Sequence, residues 1–187
     1  MLILASASPR RRELMGQLGL PFEVRPAVGP ENPPAGASAA ETVLALSRAK
    51  AEEIGANHPD ALVIGADTVV EVDGAILGKP RDEADAFRML RLLSGREHRV
   101  YTGVTVIRGG EVLSQWERTR VFFREMTDRE IDDYIATGEP MDKAGAYGYQ
   151  GRASLYVERI EGDFFNVVGL PLCRLGTMLS KLGVKLH

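Results

Sequence analysis

The first eighteen residues restrict the fold more than any other stretch. Leu2-Ile3-Leu4-Ala5 is a continuous apolar run, the pattern of a buried strand. It stops at Ser6-Ala7-Ser8-Pro9, where Ser8 supplies an N-cap and Pro9 a first helical residue with no N–H to satisfy. A helix over 9–18 follows, with Leu14, Met15 and Leu18 on its inner face and Gly19 as the stop. A second strand is expected over 22–26, a Pro-, Gly- and Ala-rich loop over 27–37, and a helix over 38–54 opened by the capping box Ser38-Ala39-Ala40-Glu41.

The alternation continues. The apolar run 61–66 reads as a buried strand ending at Asp67-Thr68, and 69–77 as a hairpin turning at Asp73-Gly74. Asp82 caps a helix over 83–93. Segments 99–107 and 111–123 form a long antiparallel pair about Gly109-Gly110. Thr127-Asp128-Arg129-Glu130 is a second capping box, opening a helix to 136 with Gly138 beyond it. A Gly-rich loop spans 143–151, a last hairpin pairs 155–161 with 164–168, and a helix closes over 171–182. Hairpins mixed with strand–helix units predict an α/β fold on a mixed sheet. At 187 residues the chain is expected to be a single domain, 1–187.

Charge and composition narrow the function. Twenty-three Lys and Arg against 26 Asp and Glu leave a net charge of −3, which argues against a dedicated nucleic-acid binder. No apolar run approaches the roughly 20 residues of a membrane span. The N-terminal stretch, with its arginines after the apolar run, does not read as a secretory signal. One cysteine, Cys173, cannot form an internal disulfide, and three scattered histidines cannot build a His-rich metal site. A cytoplasmic protein is expected.

Several positions carry chemistry. Arg10, Arg11 and Arg12 occupy the first turn of a helix, an end that already carries partial positive charge. They make sense as a solvated basic face or as an anion-binding group beside the Ser6-Ala7-Ser8 turn. Asp67 directly follows a buried apolar run, where α/β sheets collect ligands; it suits a metal ligand, a general base, or a simple turn. Glu31 sits in a Pro-rich loop. Lys50 lies late in a helix, where it also complements the dipole. Gly78-Lys79-Pro80 places a cation in a stiff turn but lacks the Walker spacing. In the 142–151 segment, DKAGAYGYQG, Tyr147 and Tyr149 can stack on a base and Gln150 can read its edge, unless one tyrosine is core. No G-x-S-x-G elbow or Cys–His signature points to covalent catalysis. This inventory fits metal-assisted attack of water on a phosphate ester or anhydride.

The chain also resembles the Maf family of nucleotide pyrophosphatases. The matching segments are Leu4-Ala5-Ser6-Ala7-Ser8-Pro9-Arg10-Arg11, Gly65-Ala66-Asp67-Thr68-Val69-Val70, Lys79-Pro80, Met89-Leu90 with Leu93-Ser94-Gly95 and His98, and Thr102-Gly103-Val104. Asp142-Lys143-Ala144-Gly145-Ala146-Tyr147-Gly148 and Val167-Val168-Gly169-Leu170-Pro171 complete the set in family order. The resemblance implies an elongated mixed sheet with flanking helices, two lobes around a cleft, similar to inosine-triphosphate pyrophosphatases. It implies hydrolysis of a nucleoside triphosphate to the monophosphate and pyrophosphate with Mg²⁺ or Mn²⁺. Asp67 matches the family's proton acceptor. Glu31, Lys50 and Lys79 match its acidic and basic pocket residues, with Glu31 and Asp67 the metal ligands. Ser6, Arg10 and Arg11 match its phosphate loop. The DKAGAYG-x-QG loop looks like that of the dTTP/UTP subgroup, in which Arg10, Thr68 and Gln150 correspond to positions associated with base choice. Tyr149 stands where an aliphatic residue is commoner. The alternatives are a 7-methyl-GTP-type enzyme and a non-catalytic nucleotide-binding regulator of cell division. The implied partner is the nucleotide, with no nucleic acid and no membrane, and a homodimer is compatible with this reading.

Overall fold

A computed structural model describes residues 1–186. Strand β1 (Leu2–Leu4) pairs in parallel with β2 (Glu23–Val24) on one side and with β3 (Leu62–Val72) on the other. Ile3 lies opposite Glu23 in one neighbour and Val63 in the other. Helix α1 (Pro9–Gly16) connects β1 to β2, and α2 (Ala39–Gly55) leads from β2 to β3. Because β1 sends its chain out one way while β3 flanks it on the other, this is a topological switch point, where open α/β sheets place ligands.

The N-caps expected at Ser8, Ser38, Asp82 and Thr127 all form. Ser8 Oγ accepts from the Arg11 N–H, and Ser38 with Glu41 makes a reciprocal capping box. Beyond β3 come β4 (Ala75–Leu77), α3 (Glu83–Leu93), β5 (Glu97–Arg108) and β6 (Glu111–Phe123). Strand β4 folds back antiparallel on β3 through Asp73 and Gly74, both with positive φ, as a tight hairpin requires. Helix α4 (Asp128–Ile135) carries the Thr127/Glu130 box, followed by short 3₁₀ turns, β7 (Val157–Glu161), α5 (Phe164–Val168) and α6 (Leu172–Lys181). The seven-stranded sheet runs β2-β1-β3-β5-β6-β7, with β4 paired to β3. Parallel and antiparallel pairs both occur, so the sheet is mixed, as expected.

Two expectations are corrected. Asp67 does not end a strand: β3 runs unbroken from Leu62 to Val72, and Asp67 lies in its middle, just past Ile64, the last residue in register with β1. Segment 164–168 is a helix rather than a strand. Asp163 Oδ1 accepts from the backbone N–H groups of Phe165 and Asn166, and buried Asn166 donates through Nδ2 to Val100 O and Thr119 Oγ1. Those bonds override the strand preference of its Phe and Val residues.

The chain divides into two compact units, the first comprising Met1–Thr68, Thr102–Glu117 and the residues from Gly169 on, the second Val69–Tyr101 and Arg118–Val168. In the first, Ile3, Ala5, Ala51, Ala61 and Val63 pack together with Ile54 and Ile107. In the second, the core gathers Val70, Leu90, Leu93, Val121, Phe123, Ile131, Tyr134 and Tyr147. Among the described residues no helix is long and apolar enough to cross a membrane.

Candidate active site

The site begins with how closely α2 lies on the sheet. Gly65 in β3 and Gly103 in β5 have no side chains to hold the helix off. A Cβ on Gly65 would sit 2.2 Å from Ser47 O, and one on Gly103 would sit 2.2 Å from Val43 O. Ser47 Oγ then meets Thr105 Oγ1 at 3.0 Å. Asp67, two residues past Gly65, points to the same face of the strand, and Lys50, one turn past Ser47, reaches it. Lys50 Nζ donates to Asp67 Oδ1 at 2.6 Å. It also pairs with Glu31 Oε1 at 2.7 Å.

The arrangement is graded from inside to outside. The Asp67 side chain is 9% exposed, Lys50 17% and Glu31 58%. Glu31 arrives on the Pro-rich loop, which Glu53 of α2 pins by accepting from the backbone N–H groups of Val28 and Gly29 at 2.8 and 3.0 Å. Glu53 carries no sequence signal of this role, since a helix-surface Glu is ordinary.

Alongside, Arg11 turns back into the protein rather than out to solvent. Its Nε donates to Gly169 O at 2.8 Å, one terminal nitrogen to Thr68 Oγ1 at 2.9 Å, and the other to Ser6 Oγ at 3.3 Å. Burial pushes the guanidinium pKa down and Arg10 adds to this, while Asp67 and Glu31 pull it up. It remains a cation, since arginine is not deprotonated in proteins. Thr68 Oγ1 is also 2.8 Å from Thr102 Oγ1. Gly169 presents its carbonyl from φ 127°, a conformation that side chains other than glycine's rarely allow. Ser6 is buried and caps the Ser8 N–H as well.

Thus Ser6, Arg11 and Thr68 form one hydrogen-bonded group and Glu31, Lys50 and Asp67 another, linked through the electrostatic influence of Asp67 and Glu31 on Arg11. Arg10 is half-buried beside Arg11, and Arg12 is exposed. Lys79 and Gln150, both exposed, belong to the second unit. Tyr147 there is core: its hydroxyl lies 2.7 Å from Nε2 of buried His98. Among the described residues no group of three or more His, Cys, Asp or Glu side chains forms a metal cage. Two carboxylates converging on one point are nonetheless a fitting donor set for a hard divalent cation, which takes one or two carboxylates and completes its shell with water and substrate phosphates.

Comparisons with known proteins agree with one another. The chain is 54% identical over 186 residues to a dTTP/UTP pyrophosphatase of Moorella thermoacetica, covering 98% of this chain and 95% of that one. It is 52% identical over 184 residues to a dTTP/UTP pyrophosphatase of Pelotomaculum thermopropionicum, covering 97% and 96%. Among solved structures it is similar in fold to the Staphylococcus aureus Ham1 protein, with a TM-score of 0.52 at 13% identity over 96% of this chain and 98% of that one. The family model for Maf-like proteins matches residues 1–182, and the chain belongs to the Maf family.

Proposed function

We propose that the protein hydrolyses dTTP and UTP to the nucleoside monophosphate and pyrophosphate. The observation that carries this reading is Lys50 held between Asp67 and Glu31, beside the anchored Arg11, in a chain about half identical to relatives named dTTP/UTP pyrophosphatases. Water attacks the α-phosphorus: its oxygen forms the new P–O bond, its proton passes to Asp67, and the bond to the bridging oxygen of the β-phosphate breaks. Lys50, Arg10 and Lys79 neutralise the charge that gathers on the departing pyrophosphate. Ser6 and Arg11 shape the phosphate loop, and Thr68 and Gln150 take part in base choice. Asp67 and Glu31 would hold Mg²⁺ or Mn²⁺, which, when bound, supplies further charge neutralisation on the phosphates. The substrate is a free nucleotide of the cytoplasm. The reading requires neither nucleic acid nor membrane and accommodates a homodimer.

The test is a panel of nucleoside triphosphates turned over in ¹⁸O-water, with products separated and weighed. Pyrophosphate and ¹⁸O-labelled monophosphate are expected from dTTP and UTP. Release of orthophosphate, or label in the pyrophosphate, would sink the proposal. Asp67→Asn should lower turnover at least about a hundredfold, the lower range for loss of a general base. Tight nucleotide binding by the wild type without any turnover would favour the regulator instead.

A further inference from the structure

Strand β7 pairs with β6 only over Arg120–Phe123, so the other half of β6, from Glu111 to Glu117, lies at an edge of the sheet. This stretch belongs wholly to the first unit. The direction of its backbone groups follows from the far end of the strand. The Phe123 N–H donates to Arg96 O, on the β5 side, at 3.1 Å, and the Arg124 N–H donates to Tyr156 O, on the β7 side, at 2.9 Å. Burial alternates without interruption from Leu113 to Phe123, so no bulge in β6 changes that phase. The N–H and C=O groups of Val112 and Ser114 therefore turn away from β5, toward the side on which no further strand stands among the described residues.

The edge is stiff. Ser114 Oγ lies 2.8 Å from Thr105 Oγ1 of β5, which Ser47 of α2 meets at 3.0 Å. On the opposite face Arg174 of α6 donates to Glu117 Oε2 at 2.9 Å and to Gln115 Oε1 at 3.0 Å. The edge is also unguarded. Sheet edges are normally blunted by lysine, proline or a bulge, and Glu111-Val112-Leu113-Ser114-Gln115-Trp116-Glu117 contains neither residue. Trp116 stands 40% exposed upon it.

We propose that this edge pairs antiparallel with the same edge of a second copy of the chain, about a two-fold axis at Ser114. The stretch is complementary to itself in that register. Ser114 faces Ser114 and exchanges two backbone hydrogen bonds with it. Val112 of each copy faces Trp116 of the other, an aromatic and β-branched pair of the kind that stabilises sheets, formed twice. On the other face Leu113 comes opposite Gln115, and Glu111 opposite Glu117, whose charge Arg174 balances. An axis one residue away, at Leu113 or at Gln115, would set Trp116 against Gly110 or Ser114 and lose both aromatic pairs. A foreign strand could meet the backbone equally well, but the doubled pairing of Trp116 with Val112 belongs to a second copy. The inference names a surface for the homodimer that the proposed function accommodates and does not depend on the substrate.

Sedimentation velocity over a concentration series measures dimerisation of the full chain. Trp116→Lys removes both aromatic pairs and sets a charge on the edge, and should weaken dimerisation at least about tenfold. Ser114→Pro, which a sheet edge tolerates, removes the outward N–H at the axis and should do the same. Cysteine cross-linking reads the register, in a Cys173→Ser background because Cys173 is exposed. Ser114→Cys puts its two Cα atoms about 5.5 Å apart across the axis, and oxidation should link the copies. Glu111→Cys leaves them about 20 Å apart and should not link. Wild-type protein that is monomeric at every concentration overturns the proposal. So does a dimer that both Trp116→Lys and Ser114→Pro leave intact, or one linked through Glu111→Cys rather than Ser114→Cys. If Ser114→Pro does not fold, Trp116→Lys and the cross-links decide. None of these readouts uses turnover, so failure of the nucleotide panel overturns the proposed function and leaves the dimer standing.

Discussion

Lys50 of α2 donates to Asp67 of β3 at 2.6 Å, across seventeen residues of sequence, and the same ammonium meets Glu31 at 2.7 Å. A compact point charge with three rotatable donors suits two separate carboxylates, whereas a planar guanidinium is built for one carboxylate in a fork. Lys50→Met should lower kcat/KM by about a hundredfold or more, the scale of losing one charged stabiliser in a site. Lys50→Arg should recover only a small part of it. Steady-state pyrophosphate release by the three proteins checks this, and full rescue by arginine would show that charge alone matters.

Neighbouring arginines should behave differently. Arg11 donates to Gly169 O, Ser6 Oγ and Thr68 Oγ1, so Arg11→Met removes three hydrogen bonds and should cost about 2–3 kcal/mol of stability as well as activity. Arg10→Ala should change stability by less than about 0.5 kcal/mol while raising KM, since Arg10 is proposed to meet only the substrate. Urea denaturation beside kinetics separates the two. Equal destabilisation of both variants would contradict the division of labour.

Gly65→Ala tests the close approach of α2. The added methyl would lie 2.2 Å from Ser47 O and 2.8 Å from Ala51 N, both backbone atoms that cannot swing aside. The helix must retreat, at a cost of about 1–3 kcal/mol for overpacking. Because Lys50 rides on that helix, turnover should fall in the folded variant too. An unchanged melting temperature would show that the helix yields freely.

His98 gives the protein an acid sensitivity of definite sign. Burial drives its pKa from 6.5 down to about 3, against a small opposing pull from Glu97. Its Nε2 faces the Tyr147 hydroxyl, and its buried Nδ1 has no partner among the described residues to welcome a proton. The unfolded chain takes up a proton near pH 6.5 and the folded protein does not. Stability from this group is therefore intact above 6.5 and falls by up to about 1.4 kcal/mol per pH unit as pH drops toward 3. His98→Gln, whose amide can still bond Tyr147, should flatten that part of the curve. Urea midpoints from pH 4 to 7 measure it, and parallel curves for the two proteins would rule out His98 as the source.

Much of the fold was legible because its signals are local. Ser8-Pro9, the two capping boxes and Asp73-Gly74 act over three or four residues, and each forms where expected. Asp67 was harder to read. A strand pattern that passes from a fully apolar run into Asp-Thr looks finished, and only pairing with β4 and β5 and the close approach of α2 carry β3 through it. Segment 164–168 misled for a related reason, since its helix is secured by bonds to Val100 and Thr119, far away in sequence. Tyr147 and Tyr149 are two residues apart and chemically alike, yet one is sealed against His98 and the other leans on an exposed phenylalanine.

By itself the sequence determined which residue types were on hand for phosphate chemistry, where the capped helices start, and membership in a family. Tertiary structure decided which of those residues meet. Two strand glycines let a helix backbone settle onto the sheet, and a helix-surface glutamate ties down the loop that carries Glu31. Both depend on close contacts between segments remote in the chain, whose energies no local pattern encodes.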